Sequence, residues 1–141
     1  MYPETIKYTG CFLGPELLQK CLKGYSRQTL SRKIANPHVT FAYHPETVPS
    51  ELFGQTVTVR AIGYGCDGEN EALLVEFDDL PEPLRLYAEA IAVPHITLSI
   101  SESGKAVNSR RLNFNPITPF VLDGVFGGMD EAGTVHTEAF L

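Results

Sequence analysis

The chain has 141 residues, of which 43% are hydrophobic and 20% are charged. This size and composition are typical of one soluble globular domain, so we expect a single domain over residues 1–141 and exclude disordered, collagen-like and long coiled-coil proteins. The formal net charge of −6 excludes a surface that binds nucleic acid through a general excess of cations, so any such contact must be local.

The residue pattern of the first half of the chain predicts a strand, a short helix and three more strands. Residues 4–13 are rich in β-branched and aromatic side chains and stop at Gly14-Pro15, as a strand that leads into a helix does. Leucines and a cysteine recur at helical spacing over residues 15–23, which predicts a short amphipathic helix. The polar, basic residues 25–36 are predicted as loop or frayed helix, and the next predicted strands cover residues 37–45, 55–65 and 71–77.

The second half predicts a helix and three strands. Apolar residues recur at i, i+3, i+4 and i+7 between Asp78 and Ala92, which is the pattern of an amphipathic helix. Residues 94–101 alternate between polar and apolar, and residues 118–126 and 134–140 are predicted to pair as closing strands. Strands grouped between two helices favour an α+β domain with a largely antiparallel sheet over a doubly wound parallel sheet.

The cysteines and the first ten residues indicate the cellular compartment of the protein. The three cysteines, Cys11, Cys21 and Cys66, include no CxxC pair, which disfavours a disulfide scaffold and a zinc ribbon. The first ten residues lack the pattern of a secretion signal, and no apolar run approaches the ~20 residues that cross a bilayer. We therefore expect a soluble, cytoplasmic protein.

A short motif occurs twice, each time at the start of a predicted strand. PHVT stands at residues 37–40 and PHIT stands at residues 94–97. Because side chains at i and i+2 of a strand share a face, His38 projects together with Thr40, and His95 projects together with Thr97. The apolar residues between and after them are predicted to project the other way and to be buried: Val39, Phe41, Ile96 and Leu98.

Two imidazoles and two hydroxyls around one cleft suit chemistry on a phosphate. An imidazole has an unperturbed pKa of about 6.5, so one histidine can accept a proton from water while the other donates a proton to a leaving oxygen. The hydroxyls of Thr40 and Thr97 can donate hydrogen bonds to the non-bridging phosphate oxygens. This scheme requires no metal or other cofactor, and we predict neither.

The duplicated HxT motif, on two strands of a soluble α+β domain of this size, resembles the 2H phosphoesterase superfamily, which is named for its two histidines. The resemblance implies a bilobal fold with pseudo-twofold symmetry, in which two mainly antiparallel sheets surround a central cleft and helices lie outside. It also implies that His38 and His95 are the catalytic residues and that Thr40 and Thr97 bind the substrate phosphate. The agreement in sequence is confined to the two tetrapeptides.

The predicted function is hydrolysis of a 2′,3′-cyclic phosphate on RNA ends or nucleotides by two-histidine acid–base catalysis, as in RNA repair and processing. RNA 2′,5′ ligation and non-catalytic binding of a nucleotide or RNA end are the alternatives. Neither DNA nor a membrane is an expected partner, and the acidic stretch at residues 67–89 argues against an extended RNA track. The near-identity of the two motifs leaves base and acid unassigned, with His95 favoured as the base.

Basic residues near the motifs are candidate contacts to a bound phosphate. Arg32 precedes the first motif and Lys105 follows the second, and both are predicted substrate contacts. The pair Arg110-Arg111 also follows the second motif, and it has two interpretations, a phosphate contact or part of a solvated loop. Tyr8 and Phe12 have two interpretations, stacking on a nucleobase or, as is more usual for strand aromatics, packing in the core. His44 and His136 are expected to be surface residues.

Overall fold

Strands make up most of the structure, a computed structural model that describes residues 6–14, 16, 18, 30–34, 36–45 and 50–137. The strands are β1 (Ile6–Leu13), β2 (Arg32–Lys33), β3 (His38–Tyr43), β4 (Thr56–Cys66), β5 (Asn70–Asp79), β6 (His95–Ile100), β7 (Asn115–Asp130) and β8 (Val135–His136). Between them lie 3-10 helices at Ser50–Leu52, Glu82–Leu84 and Ala106–Arg111 and the α-helix α1 (Arg85–Glu89).

Six of the strands form a closed antiparallel barrel. The order around the wall is β1-β3-β6-β5-β4-β7, and β7 pairs again with β1. Strand β7 has 16 residues, so its first part pairs with β4 while its last part, residues 124–130, pairs with β1. Each of the six strands therefore has a neighbour on both sides, which satisfies the backbone groups that an edge strand leaves open.

The expected fold class is wrong. In place of a bilobal α+β fold with two sheets and outer helices, the described chain is mostly β and closes into one barrel. Strand β5 extends to Asp79, and Pro81 and Pro83 follow, so the helix predicted between Asp78 and Ala92 is reduced to a 3-10 helix and the five residues of α1. The long strand β7 joins what were expected to be two separate sheets.

Most of the predicted strands agree with the structure. The strands predicted over residues 37–45, 55–65, 71–77 and 94–101 are confirmed as β3, β4, β5 and β6, and the described part of the strand predicted over 4–13 is confirmed as β1. Of the helix predicted over 15–23, Glu16 and Leu18 are described and are helical, and the remainder lies outside the described residues. None of the described helices combines the length and the apolar character that a membrane crossing needs.

The core fills the inside of the barrel and leaves the motif side chains on its outer face. Phe41 makes edge-to-face contacts with Phe126 and Phe77 at centroid distances of 5.3 and 5.5 Å. Val39 and Ile96 are fully buried in the same core, as predicted. Because side chains alternate along a strand, the neighbouring histidines and threonines must face outward.

Candidate functional site

The two motifs lie side by side because β3 and β6 are neighbours in the barrel wall. These strands pair antiparallel through the apolar residue at the centre of each motif. Continuing this register places His38 across from Thr97 and Thr40 across from His95. The four side chains thus form a two-by-two grid with the histidines on one diagonal, and diagonal neighbours on a sheet are ~7–8 Å apart, which leaves room for a phosphate between them.

One cavity of about 460 Å³ is lined by all four of these side chains. Its volume is within the range of roughly 300–1,000 Å³ that is usual for small-molecule sites. Arg110 is the cationic residue of its lining. The rest of the lining is largely apolar and comprises Ile34, Tyr43, Ile91, Ala92 and Val93. The structure therefore brings the two motifs, which are 57 residues apart, into one site of nucleotide size.

Both imidazoles are oriented by the same local hydrogen bond. Nδ1 of His38 lies 2.7 Å from the carbonyl oxygen of Asn36, and Nδ1 of His95 lies 2.8 Å from the carbonyl oxygen of Val93. A carbonyl oxygen only accepts hydrogen bonds, so each Nδ1 carries a hydrogen and donates it. In the neutral ring the lone pair is then on Nε2, and each histidine is ready to accept a proton there.

The surroundings lower the pKa of both histidines. For His38 the main cause is burial, and the charge of His95 adds to it, while the hydrogen bond to Asn36 opposes both. For His95 burial is again the main cause, opposed by the hydrogen bond to Val93, and the positive charge of Arg110 lowers the pKa further. Without a bound anion both rings are therefore neutral at pH 7.

Aromatic rings of strand β1 pack against the ring of His38. Tyr8 stacks on it at a centroid distance of 4.6 Å and an interplanar angle of 25°, and Phe12 lies at 5.5 Å. Burial, with a smaller effect of Tyr43, raises the pKa of Tyr8 to about 12, so its phenol stays neutral. Tyr8 is buried, but its ring packs against His38 and not only against the barrel core. This contact could be seen only from the register between β1 and β3.

A glycine lets β1 approach β3 next to Thr40. Gly10 is paired with Thr40, and a Cβ atom at Gly10 would lie 2.5 Å from the carbonyl oxygen of Val39. That distance is shorter than any van der Waals contact, so a side chain at this position would push the strands apart. The absence of a side chain at Gly10 thus helps to set the position of Thr40.

The other threonine belongs to a buried hydrogen-bond chain. The hydroxyl of Thr97 donates to Oγ of Ser109 at 2.9 Å, and the side-chain amide of Asn70 donates to the same Oγ at 3.0 Å. The Asn70 amide also donates to the carbonyl oxygen of Lys105 at 2.8 Å. These contacts tie strands β5 and β6 to the 3-10 helix Ala106–Arg111, which carries Arg110.

The two predicted cationic contacts do not line the cavity. The guanidinium of Arg32 donates to the carbonyl oxygens of Ser101 and Gly104 at 2.8 and 3.0 Å, so it holds the turn after β6. Lys105 has an exposed side chain and contributes its backbone carbonyl to Asn70. Arg110 is instead the cation that lines the cavity. The one indication of this in the sequence was the position of Arg110 shortly after the second motif.

The remaining histidines lie away from the cavity lining. His44 is exposed and has a positive φ of 49° at the end of β3. Nε2 of His136 lies 2.7 Å from Oδ2 of Asp130, which also caps the β7–β8 turn through backbone bonds from Ala132 and Thr134. Within the ranges that the structure describes, no group of three or more His, Cys, Asp or Glu side chains is placed to hold a metal ion.

A scan against models of protein families and a search of curated proteins find no match to this chain. The geometry of the cavity is therefore the basis on which a function can be proposed.

Proposed function

We propose that the protein is a metal-independent phosphodiesterase that hydrolyses a 2′,3′-cyclic phosphate on a nucleotide or an RNA end. The observation that carries the proposal is the diagonal pair of histidines, each facing a threonine, around one cavity that also contains an arginine. The two motifs likewise support kinship with the 2H phosphoesterases, although not through the bilobal fold. The free thiols of Cys11 and Cys66 support a cytoplasmic setting.

The diagonal arrangement suits in-line displacement at phosphorus. The attacking water and the leaving ribose oxygen are on opposite sides of the phosphorus atom, and so are the two imidazoles of the grid. One histidine accepts the proton of the water at Nε2 as the new P–O bond forms. The other donates its Nε2 proton to the ribose oxygen as the old P–O bond breaks, which leaves a phosphomonoester and a free hydroxyl.

Binding of the substrate provides the proton that this mechanism requires. Burial lowers the pKa of both rings, which favours their neutral forms in the free protein. A phosphodiester anion bound between them favours a protonated imidazole and offsets the charge of Arg110, so it raises the pKa of the histidines. The bound pair then holds one proton, with one ring acting as acid and the other as base.

The other polar groups of the cavity fit a singly charged phosphate. Thr40 and Thr97 both line the cavity, and their hydroxyls can rotate to donate to the two non-bridging oxygens when the substrate is bound, while the charge of Arg110 balances that of the diester. The apolar part of the lining, which includes the exposed residue Tyr43, suits the ribose and the flat face of a base. A substrate of nucleotide size is therefore favoured over a polyanionic strand.

Turnover of the four nucleoside 2′,3′-cyclic monophosphates and of an RNA with a cyclic-phosphate end, all in EDTA, tests this proposal. The wild type should hydrolyse at least one of them, and His38→Gln and His95→Gln should each lose most of the activity, on the order of 10²-fold or more. His44→Gln is the matched control, since His44 is exposed outside the cavity, and it should keep full activity. No turnover by the wild type, or equal losses in all three variants, would refute the proposal.

A further inference from the structure

The stack of Tyr8 on His38 places an aromatic face against one side of a catalytic candidate. The two rings are nearly parallel, with 25° between their planes and 4.6 Å between their centroids. Tyr8 is 9% exposed and is not part of the cavity lining, so its effect on a bound substrate must pass through His38. Phe12 and Tyr43 stack on Tyr8 in turn, at 6.0 and 6.2 Å, which holds its ring in place.

An aromatic face attracts a positively charged ring more than a neutral one. The π-system is negative above the ring plane, and a cation within about 6 Å of the ring centroid is stabilised there, most strongly where water is excluded. The phenol of Tyr8 is neutral because burial raises its pKa to about 12, so the attraction comes from the ring face and not from a phenolate. Tyr8 therefore favours the protonated form of His38, against the burial that disfavours it.

The second histidine has different neighbours, although the two motifs are nearly identical. Burial lowers the pKa of both rings, and repulsion between two protonated rings limits the pair to one proton. In the described part of the chain no aromatic ring stacks on His95, and the positive charge of Arg110 lowers its pKa further. The neighbours of the two rings therefore direct the proton of the pair to His38.

We propose that Tyr8 is a positioning residue whose stacked ring holds the proton of the histidine pair on His38. Nδ1 of His38 donates to the carbonyl oxygen of Asn36, so the added proton lies at Nε2. His38 donates this proton to the leaving ribose oxygen as the old P–O bond breaks, while Nε2 of His95 accepts a proton from the water that forms the new P–O bond. This inference rests on the proposed function and assigns the acid and the base within it.

NMR titration of the histidine rings tests this inference, in the free protein and with excess inorganic phosphate. The signals are assigned with His38→Gln and His95→Gln. Tyr8→Phe keeps the ring and should leave the pKa of His38 within about 0.3 pH units, whereas Tyr8→Leu should lower it by about 0.5–1 pH unit. Loss of the ring also admits water, which by itself would raise this pKa, so the two effects differ in sign. Tyr87→Leu is the control, because Tyr87 lies on α1 outside the cavity lining, and it should change neither pKa.

The pH dependence of turnover separates a role in holding the proton from a role in packing alone. A lower pKa of His38 removes its proton only where the pH is above that pKa. The kcat/KM of Tyr8→Leu for a nucleoside 2′,3′-cyclic monophosphate should therefore fall about three- to tenfold above the pKa and little below it. A loss that is equal at every pH, as a misplaced ring would cause, would refute this role of Tyr8.

A second set of variants keeps the test valid if Tyr8→Leu does not fold, as thermal unfolding will show. Phenylalanine with one, two or three ring fluorines at position 8 keeps the shape of the side chain but withdraws charge from its face, so the pKa of His38 should fall with each fluorine. A ring-dependent pKa without turnover would support the action of Tyr8 on His38 and refute the phosphodiesterase. Turnover with a pKa that no ring variant lowers would refute the role of Tyr8 alone, and the absence of both effects would refute both proposals.

Discussion

Arg110 provides the sharpest prediction because its substitution should have two independent effects. It is the cation of the cavity lining, and its charge lowers the pKa of His95. A hydrogen bond between charged partners contributes about 1.5–3 kcal/mol, so Arg110→Gln should lower kcat/KM roughly 10- to 150-fold. The same substitution removes a positive charge next to His95 and should raise the pKa of that ring in the free protein.

The assay combines steady-state kinetics with NMR titration of the histidine side chains. Arg111→Gln is the matched control, because Arg111 is the exposed neighbour on the same 3-10 helix and does not line the cavity. It should change kcat/KM by less than about threefold, as expected for a solvated charge that does not contact the substrate. Equal losses in both variants, or a pKa of His95 that is unchanged in Arg110→Gln, would refute the assigned role of Arg110.

Three further predictions concern pH and packing. The pKa of both His38 and His95 lies below the ordinary value of about 6.5, so kcat/KM should have its maximum below pH 6.5 and decline above it. A pH–rate profile that is flat from pH 5 to 8 would contradict the two-imidazole mechanism. Below pH 6.5 the unfolded chain binds more protons at these two histidines than the folded chain does, so the free energy of unfolding should fall as the pH falls. In a His38→Gln/His95→Gln variant, urea unfolding should show a smaller fall over the same pH range. Gly10→Ala should destabilise the fold by about 1–3 kcal/mol in urea and reduce activity, because the added methyl group meets the backbone of β3; an unchanged unfolding midpoint would contradict the close approach.

The sequence predicted strands well because strand formation leaves a local signal. In β4 the alternation of Val57, Val59 and Ala61 with more exposed residues is visible in the sequence and corresponds to the inside and outside of the barrel. Closure was not visible, since it depends on β7 pairing with two strands more than 40 residues away from it. Long-range pairing of this kind has no local pattern, and the order of strands alone allowed the wrong fold class.

The candidate site was predictable only in part, for a similar reason. The HxT repeats identified the outward face of two strands, and the outward direction of His38 and His95 follows from their alternation with the buried residues Val39 and Ile96. The supporting residues leave no motif. Tyr8 reaches His38 through the register of β1 and β3, and Ser109 reaches Thr97 through the packing of a 3-10 helix, so both required the structure.

The central claim is that the two imidazoles act as one catalytic unit. It is tested most directly by kcat/KM for a nucleoside 2′,3′-cyclic monophosphate, measured in EDTA for His38→Gln, His95→Gln and the double variant. We predict that the double variant is no slower than the slower single variant, because removal of either ring already disables the concerted transfer of two protons. Losses that multiply in the double variant, or a single variant that keeps most of the activity, would contradict it.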